Sequence, residues 1–237
     1  MALISHVGDA VADPPLLAAQ TPSVTVVHAS LILVQVIFGI GSVVGKLGVA
    51  EFNPLLFALI REVVAGLLLL AWAVRVDGPR RPQREHWLLF CACGFFIFVN
   101  QAAFIVGDKL AGAVAGSAWQ PTQPIFTLLI SLVLGWEKPT LLKTAGIVIS
   151  FGGAAFMVVY GADASSAGGA SSFIAGNSMF AANCLGTSLY VIFSKVALSQ
   201  GYPPSSVTAW SYLLGACMML VTATAISSDC DAVAFIC

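Results

Sequence analysis

The chain has 237 residues, of which 59% are hydrophobic and 9% charged, with a formal net charge of −1 and a mean hydropathy of +0.95. A soluble domain carries about 25% charged residues to keep its surface wet, so most of this surface must meet lipid or other helices. The near-neutral balance excludes a nucleic-acid partner, which calls for a basic patch to neutralise phosphates.

Residues 1–23 contain no Lys or Arg and no apolar run long enough for a signal-peptide core, and Asp13-Pro14-Pro15 and Thr21-Pro22 interrupt them. They read as a disordered lead-in. A bilayer core about 30 Å thick is crossed by about 20 apolar residues in helical form. Seven stretches reach that length, at about 27–47, 54–74, 87–107, 111–135, 141–160, 173–194 and 206–226. The predicted fold is all-α, a polytopic membrane protein of about seven transmembrane helices.

The first span carries a polar or small stripe, Gln35, Gly39, Ser42 and Lys46, spaced for one helix face. The second contains Arg61 and Glu62. A charge at the bilayer centre costs from about 3 kcal/mol to about 10 or more, so such residues face a cavity or a partner. Glu62 shares its face with Ala58 and Gly66, small residues suited to close packing; Arg61 shares its face with Phe57 and Ala65. Fixed ion pairs to neighbouring helices are the structural alternative for both. Asn100 and Gln101 lie in the third span, and Gly107-Asp108-Lys109-Leu110 predicts a hairpin with hardly any loop before the fourth.

The fourth span contains Ser117-Ala118-Trp119-Gln120-Pro121-Thr122-Gln123-Pro124. Each proline lacks an N–H and frees a carbonyl about four residues earlier. Freed backbone is tolerated at membrane depth only where protein or water satisfies it, and transporters build substrate sites from such broken helices. Trp119, Gln120 and Gln123 overlap on one side at i, i+3 and i+4 spacing. Candidate substrate contacts are therefore Arg61, Trp119, Gln120, Gln123, Asn100 and Gln35, with Glu62 a candidate for proton coupling. A locally satisfied kink, and amides that only join helices, are the structural alternatives.

Residues 161–172 are rich in Gly, Ala and Ser and read as a linker, with five spans before and two after. An odd number of spans per repeat inverts the next, as in many transporters. Lys46, Pro54 and Gly66 return as Lys195, Pro203 and Gly215 at a constant offset, and the face of Asn183, Thr187, Tyr190 and Ser194 repeats the spacing of the Gln35 stripe. Cys91, Cys93, Cys184 and Cys217 sit in apolar runs and read as small core residues.

Arg75, Arg80, Arg81, Arg84, Lys138, Lys143 and Lys195 fall on one side of the predicted topology, against Lys46 and Lys109 on the other. The positive-inside rule then places the N-terminus in the cytoplasm. Trp72, Trp87 and Trp136 lie near span ends, as interfacial anchors do.

Asn53-Pro54-Leu55-Leu56-Phe57-Ala58-Leu59-Ile60-Arg61 resembles the second span of the drug/metabolite transporter superfamily, EamA-like branch. Gln123-Pro124-Ile125-Phe126-Thr127 with Gly135-Trp136-Glu137-Lys138-Pro139-Thr140 resembles its fourth span and the following short loop, and Gly146 and Gly152-Gly153 fit its fifth. The resemblance covers roughly residues 27–226. It implies a ten-helix fold of two inverted five-helix repeats, an Arg at position 61, and export or exchange of metabolites. On that pattern residues 24–160 form the first repeat and 173–226 the first two helices of the second. The tail 227–237 does not resemble a third, so the chain is expected to be a fragment or a truncated gene product, and a homodimer is one way to complete it.

Other classes fit less well. Residues 206–226 hold no lysine for a retinal Schiff base, and neither an Asp-Arg-Tyr-like nor an Asn-Pro-x-x-Tyr motif occurs. Histidines stand only at 6, 28 and 86, outside or at the edge of spans, so no nucleophile–base pair or metal set is expected at depth. No enzyme activity and no cofactor or metal are expected. The reading is a transporter of small organic metabolites, such as an amino acid, a nucleoside-like solute or an organic anion; the alternative is a channel or membrane scaffold.

Overall fold

Backbone with no water to bond must satisfy itself, and an apolar run does so by coiling into a helix. The computed structural model describes residues 23–51, 54–136, 138–161 and 169–228. The lead-in 1–22, residues 52–53, Glu137, 162–168 of the expected linker and the tail 229–237 lie outside the described residues. So do the side chains of Gln35, Ser42 and Lys46. The helices are α1 (Val24–Glu51), α2 (Pro54–Asp77), α3 (Trp87–Trp119), α4 (Gln123–Val133), α5 (Leu141–Gly161), α6 (Gly169–Ser199) and α7 (Pro204–Ser228), with 3-10 turns at Arg84–His86 and Gln120–Thr122. No strand occurs among the described residues.

Five stretches are long and apolar enough to cross a membrane: Val24–Gly41, Leu56–Asp77, Arg84–Val133, Ser171–Ser199 and Pro204–Ala225; α5 adds a shorter apolar helix, Leu141–Phe156. Arg84–Val133 holds 50 residues. Drawn out straight it would measure about 75 Å, more than twice the ~30 Å of a bilayer core. It is not straight. Gly112 stands at φ 83° and ψ 159°, a conformation that only glycine enters without strain.

The packing shows that the chain reverses there. A methyl group on Gly107 would lie 2.9 Å from Cε1 of Phe180, and one on Gly116 would lie 3.0 Å from the same atom. Nine residues of straight helix would separate those positions by about 13 Å. The stretch therefore folds back on itself as two antiparallel segments, each about long enough to cross a bilayer. The reversal falls at Gly112, not at the 107–110 hairpin expected from sequence: those four residues stay helical, because a single left-handed glycine turns the chain without a polar loop.

α3 is the spine of the bundle. Its most extensive packing is along α6 and then α7, while α2 lies along α7. Small residues make the close approaches, as they do between helices in lipid. A methyl on Gly176 would meet the backbone nitrogen of Ala111 at 2.7 Å, and one on Gly94 would meet Leu214 Cβ at 2.5 Å. Ala58, Glu62, Gly66 and Ala73 are the buried positions of α2, and Gly66 faces Leu213 of α7. The small-residue face expected around Glu62 is thus the α2–α7 seam.

Apolar clusters lie towards both ends. At the arginine-rich end Leu89, Phe90, Ile192, Val196, Ala197 and Val207 pack with Trp136, Tyr202 and Trp210. Towards the Gly112 end Ala111, Ala115, Trp119, Phe173, Phe180 and Cys184 pack together. The outer faces are apolar and open, with Val114 83% and Leu141 89% exposed, as lipid-facing surfaces are. Among the cysteines, Cys93 and Cys184 are buried and Cys91 is half-buried, but Cys217 is exposed. It lines an apolar groove of about 390 Å³ with Phe95, Phe98 and Val221, where α7 turns this face past α3; the core reading fails for this residue.

Candidate functional site

Pro121 and Pro124 cannot donate to the helical ladder, and the chain responds with the 3-10 turn Gln120–Thr122 between α3 and α4. This turn falls roughly midway along the fourth crossing. The Gln120 carbonyl accepts from Gln123 N–H within the turn, and the neighbouring carbonyls take further partners on the turn and on α6. Trp119 O accepts from Thr122 Oγ1 at 2.6 Å and from Cys184 Sγ at 3.6 Å. Gln123 O accepts from Ser188 Oγ at 3.2 Å, and Ser188 is itself bonded to Thr127 Oγ1 at 3.0 Å. The break is held open by α6, not healed within its own helix alone.

Around this turn the amides form a chain. Gln123 Nε2 donates to Gln120 Oε1 at 2.7 Å and lies 3.4 Å from Asn183 Oδ1. Asn183 Nδ2 donates to the carbonyl of Asn100 at 2.8 Å, and Asn100 Nδ2 donates to Thr187 Oγ1. Trp119 Nε1 donates to Asn177 Oδ1 at 2.8 Å, and Asn177 Nδ2 to Phe173 O at 2.8 Å. Gly186 lets α6 approach α3 at Asn100: a methyl there would stand 3.1 Å from the Asn100 backbone nitrogen. Gln120, Gln123 and Asn100 remain half-buried while Asn177 and Asn183 are buried.

The charged pair sits on the other side of α3. Arg61 donates from Nη2 to Oε1 of Gln101, the residue next to Asn100, so two adjacent positions of α3 serve two clusters. Arg61 is half-buried. Glu62 is 1% exposed, and neither of its carboxylate oxygens has a hydrogen-bond partner. Both charges act on Tyr212 of α7. A buried carboxylate without a donor is costly in a low-dielectric setting, and among the described residues no salt bridge to Glu62 offsets that cost.

The structure therefore joins Trp119, Gln120, Gln123 and Asn100 through α6, and holds Arg61 one residue away along α3 through Gln101. No hydrogen bond among the described residues runs from Arg61 to Gln120 or Gln123. The side chain of Gln35 lies outside the described residues. Sequence reasoning passed over Asn177, Ser188 and Tyr212. The signal available was a second polar stripe on α6: Asn177 and Ser188, eleven residues apart, share a helix face with Cys184, beside the Asn183 and Thr187 face that was read as half of a repeat.

These features define a class: a multi-pass integral membrane protein with a broken, polar helix at the middle of the bundle. The family model for the EamA-like transporter family matches residues 26–159, more than half of the chain, and the chain belongs to that family. That is the family to which the second- and fourth-span motifs pointed.

Among its relatives is an uncharacterized transporter of Archaeoglobus fulgidus, 29% identical over 135 residues that make up 56% of this chain and 46% of the relative. An uncharacterized transporter of Synechocystis is 30% identical over 137 residues, 54% of this chain and 40% of the relative. A WAT1-related protein of Arabidopsis thaliana is 23% identical over 214 residues, 78% of this chain and 57% of the relative. The chain thus spans about half the length of the curated relatives it matches. No solved structure matches it at a significant level.

Proposed function

We propose that this protein moves a small polar organic metabolite by alternating access, with the substrate held at mid-depth between α3, the Gln120–Thr122 turn and α6. One observation carries the reading. The fourth crossing is broken by two prolines, and the polar side chains of Gln120, Gln123 and Asn100 at the break stay only half-buried, where a purely structural kink would bury its amides. Arg61 favours a substrate with a carboxylate or other anionic group, since a guanidinium grips such groups bidentately. An amino acid or an organic anion satisfies both the amides and the charge; a nucleoside-like solute uses the amides and Trp119.

On this reading residues 24–160 are a first five-helix repeat, 161–172 a linker and 173–226 the first two helices of an inverted second repeat. The span of the family match, residues 26–159, supports that division. Association of two copies would supply further helices around the site. The arginine-rich loop faces the cytoplasm and the connection at residues 161–171 the opposite side. Single cysteines placed in these two segments, in a chain without other thiols, should label from opposite faces of a sealed membrane. Labelling from one face would remove the topology.

The test of function is flux. Purified protein in proteoliposomes is expected to take up radiolabelled amino acids or organic anions saturably and with counterflow, and to show no unitary currents in planar bilayers. Unitary currents without saturable uptake would favour the channel reading.

Glu62 supports a proton-coupled cycle, since its unpartnered carboxylate beside Arg61 can lose or gain a proton as the α2–α7 seam rearranges. The charged and titratable groups that act on it are Arg61 on its own helix and Tyr212 on α7. Glu62→Gln is expected to keep the fold and to abolish the dependence of uptake on an imposed pH gradient. Gradient-driven uptake that survives in Glu62→Gln would exclude Glu62 as the carrier.

A further inference from the structure

At the arginine-rich end of the bundle, the connector between α2 and α3 meets the turn between α6 and α7. Gln83 N–H donates to Tyr202 Oη at 2.9 Å, and His86 Nδ1 lies 3.0 Å from the same oxygen. Trp210 Nε1 donates to the Arg80 carbonyl at 3.1 Å, and Ser205 donates to the Asp77 carboxylate. Gly201 turns the α6–α7 connection at φ 84°. Four hydrogen bonds thus bolt the two connections together across more than a hundred residues of sequence.

Between the connectors is a cavity of about 300 Å³ lined by Arg80, Arg81, Gln83, Gln200, Gly201 and Tyr202. Nothing in that lining is acidic. Arg81 forms no hydrogen bond or ion pair among the described residues, and Arg80 uses only Nε, on the Asp77 carbonyl at 3.4 Å. Of the two acids near these arginines along the chain, Asp77 is engaged by Ser205 and Glu85 is exposed and outside the lining. Two arginines and two glutamines therefore line one space that contains no acidic side chain.

The cavity's depth identifies what reaches it. Trp87 and Trp210 stack edge to face at 5.8 Å beside it, and Trp72 is exposed nearby along α2. Indoles collect at the level of lipid headgroups, and basic pockets at the ends of membrane helices take anionic headgroups. Arginine matches a phosphate with paired donors.

We propose that this cavity is a binding site for the phosphate of an anionic phospholipid. The site is separate from the mid-depth amides, and it ties the lipid to the junction on which α2, α3, α6 and α7 converge. A soluble phosphate shares the chemistry, and the placement at headgroup level favours the lipid.

The full-length protein in detergent, titrated with mixed micelles of phosphatidylcholine alone, phosphatidylcholine with phosphatidylglycerol, or inorganic phosphate, tests this by melting temperature and by native mass spectrometry of retained lipid. The melting temperature is expected to rise with phosphatidylglycerol only. Arg80→Gln with Arg81→Gln should weaken retention of that lipid about thirtyfold, given the pull of each basic residue on an anionic surface. Arg75→Gln with Arg84→Gln removes the same charge outside the cavity and should leave retention within a few-fold of the parent. Equal losses in the two double variants would reduce the effect to diffuse charge and overturn the site. A response to inorganic phosphate equal to that of the lipid would overturn the lipid assignment, and no response to either would overturn both. The melting temperature in phosphatidylcholine alone checks that each variant is folded.

Discussion

Arg61→Lys is expected to weaken binding of an anionic substrate by about 1–3 kcal/mol, roughly five- to 150-fold, with little change in melting temperature. Lysine keeps the positive charge beside Glu62 but replaces a planar fork by a single ammonium. It can still reach Gln101, so the link between α2 and α3 is preserved in kind. Substrate affinity and melting temperature should be measured on the same purified sample. If Arg61 only joins helices, the melting temperature falls and the affinity of the surviving molecules does not. Gln123→Leu makes the parallel test at the broken helix. It nearly conserves volume and removes the amide that bonds to Gln120 at 2.7 Å.

The largest effect on stability is expected at a position with no chemistry. Gly176→Leu places a side chain where even a methyl would lie 2.7 Å from the Ala111 backbone nitrogen and 2.6 Å from its Cβ. Backbone cannot swing aside as a side chain can, so α6 must lift from α3 next to the reversal at Gly112. Overpacking of this kind costs about 1–3 kcal/mol and sometimes more. Here it also pulls at the Ser172 hydroxyl bonded to the Leu110 carbonyl at 3.2 Å. Gly146→Ala on α5 is the matched control, because nothing lies within 4 Å of the added methyl. Thermal unfolding in detergent should show a large loss for the first and none for the second. Equal melting temperatures would mean that the α3–α6 seam is not close-packed.

Much of this architecture was legible because lipid imposes a simple grammar. An apolar run of about 20 residues has few choices but a helix, and all seven runs fall on helix among the described residues. The drug/metabolite transporter motifs around Arg61 and Gln123 led to the right family. The Ala58–Glu62–Gly66 face could be read because helical spacing places those residues together, and close packing favours small ones.

What the sequence did not disclose depends on tertiary neighbours. Gly107-Asp108-Lys109-Leu110 looks like a turn by polarity, yet Gly112 is the residue that turns. Local composition cannot tell which of two glycines adopts φ 83°. Pro121 and Pro124 announced a break, but not that Cys184 and Ser188, more than sixty residues away, would bond the Trp119 and Gln123 carbonyls beside it. The adjacency of Asn100 and Gln101 hid a division of labour, since successive residues on a helix point about 100° apart. Cys217 looked like its three counterparts and differs only because α7 presents it to a groove.

The central claim is that a substrate reaches the broken fourth helix at mid-depth. The most direct measurement is the reactivity of Gln123→Cys, made with all six native cysteines replaced, towards a small hydrophilic thiol reagent in proteoliposomes. Ile149→Cys, at a position of α5 that is 74% exposed on the outer surface, reports on lipid. The account predicts that Gln123→Cys reacts, that a transported amino acid or organic anion slows the reaction in proportion to its occupancy, and that Ile149→Cys stays unreactive. A Gln123→Cys protein that folds and yet reacts no faster than Ile149→Cys, or reacts at a rate that substrate does not alter, would contradict it.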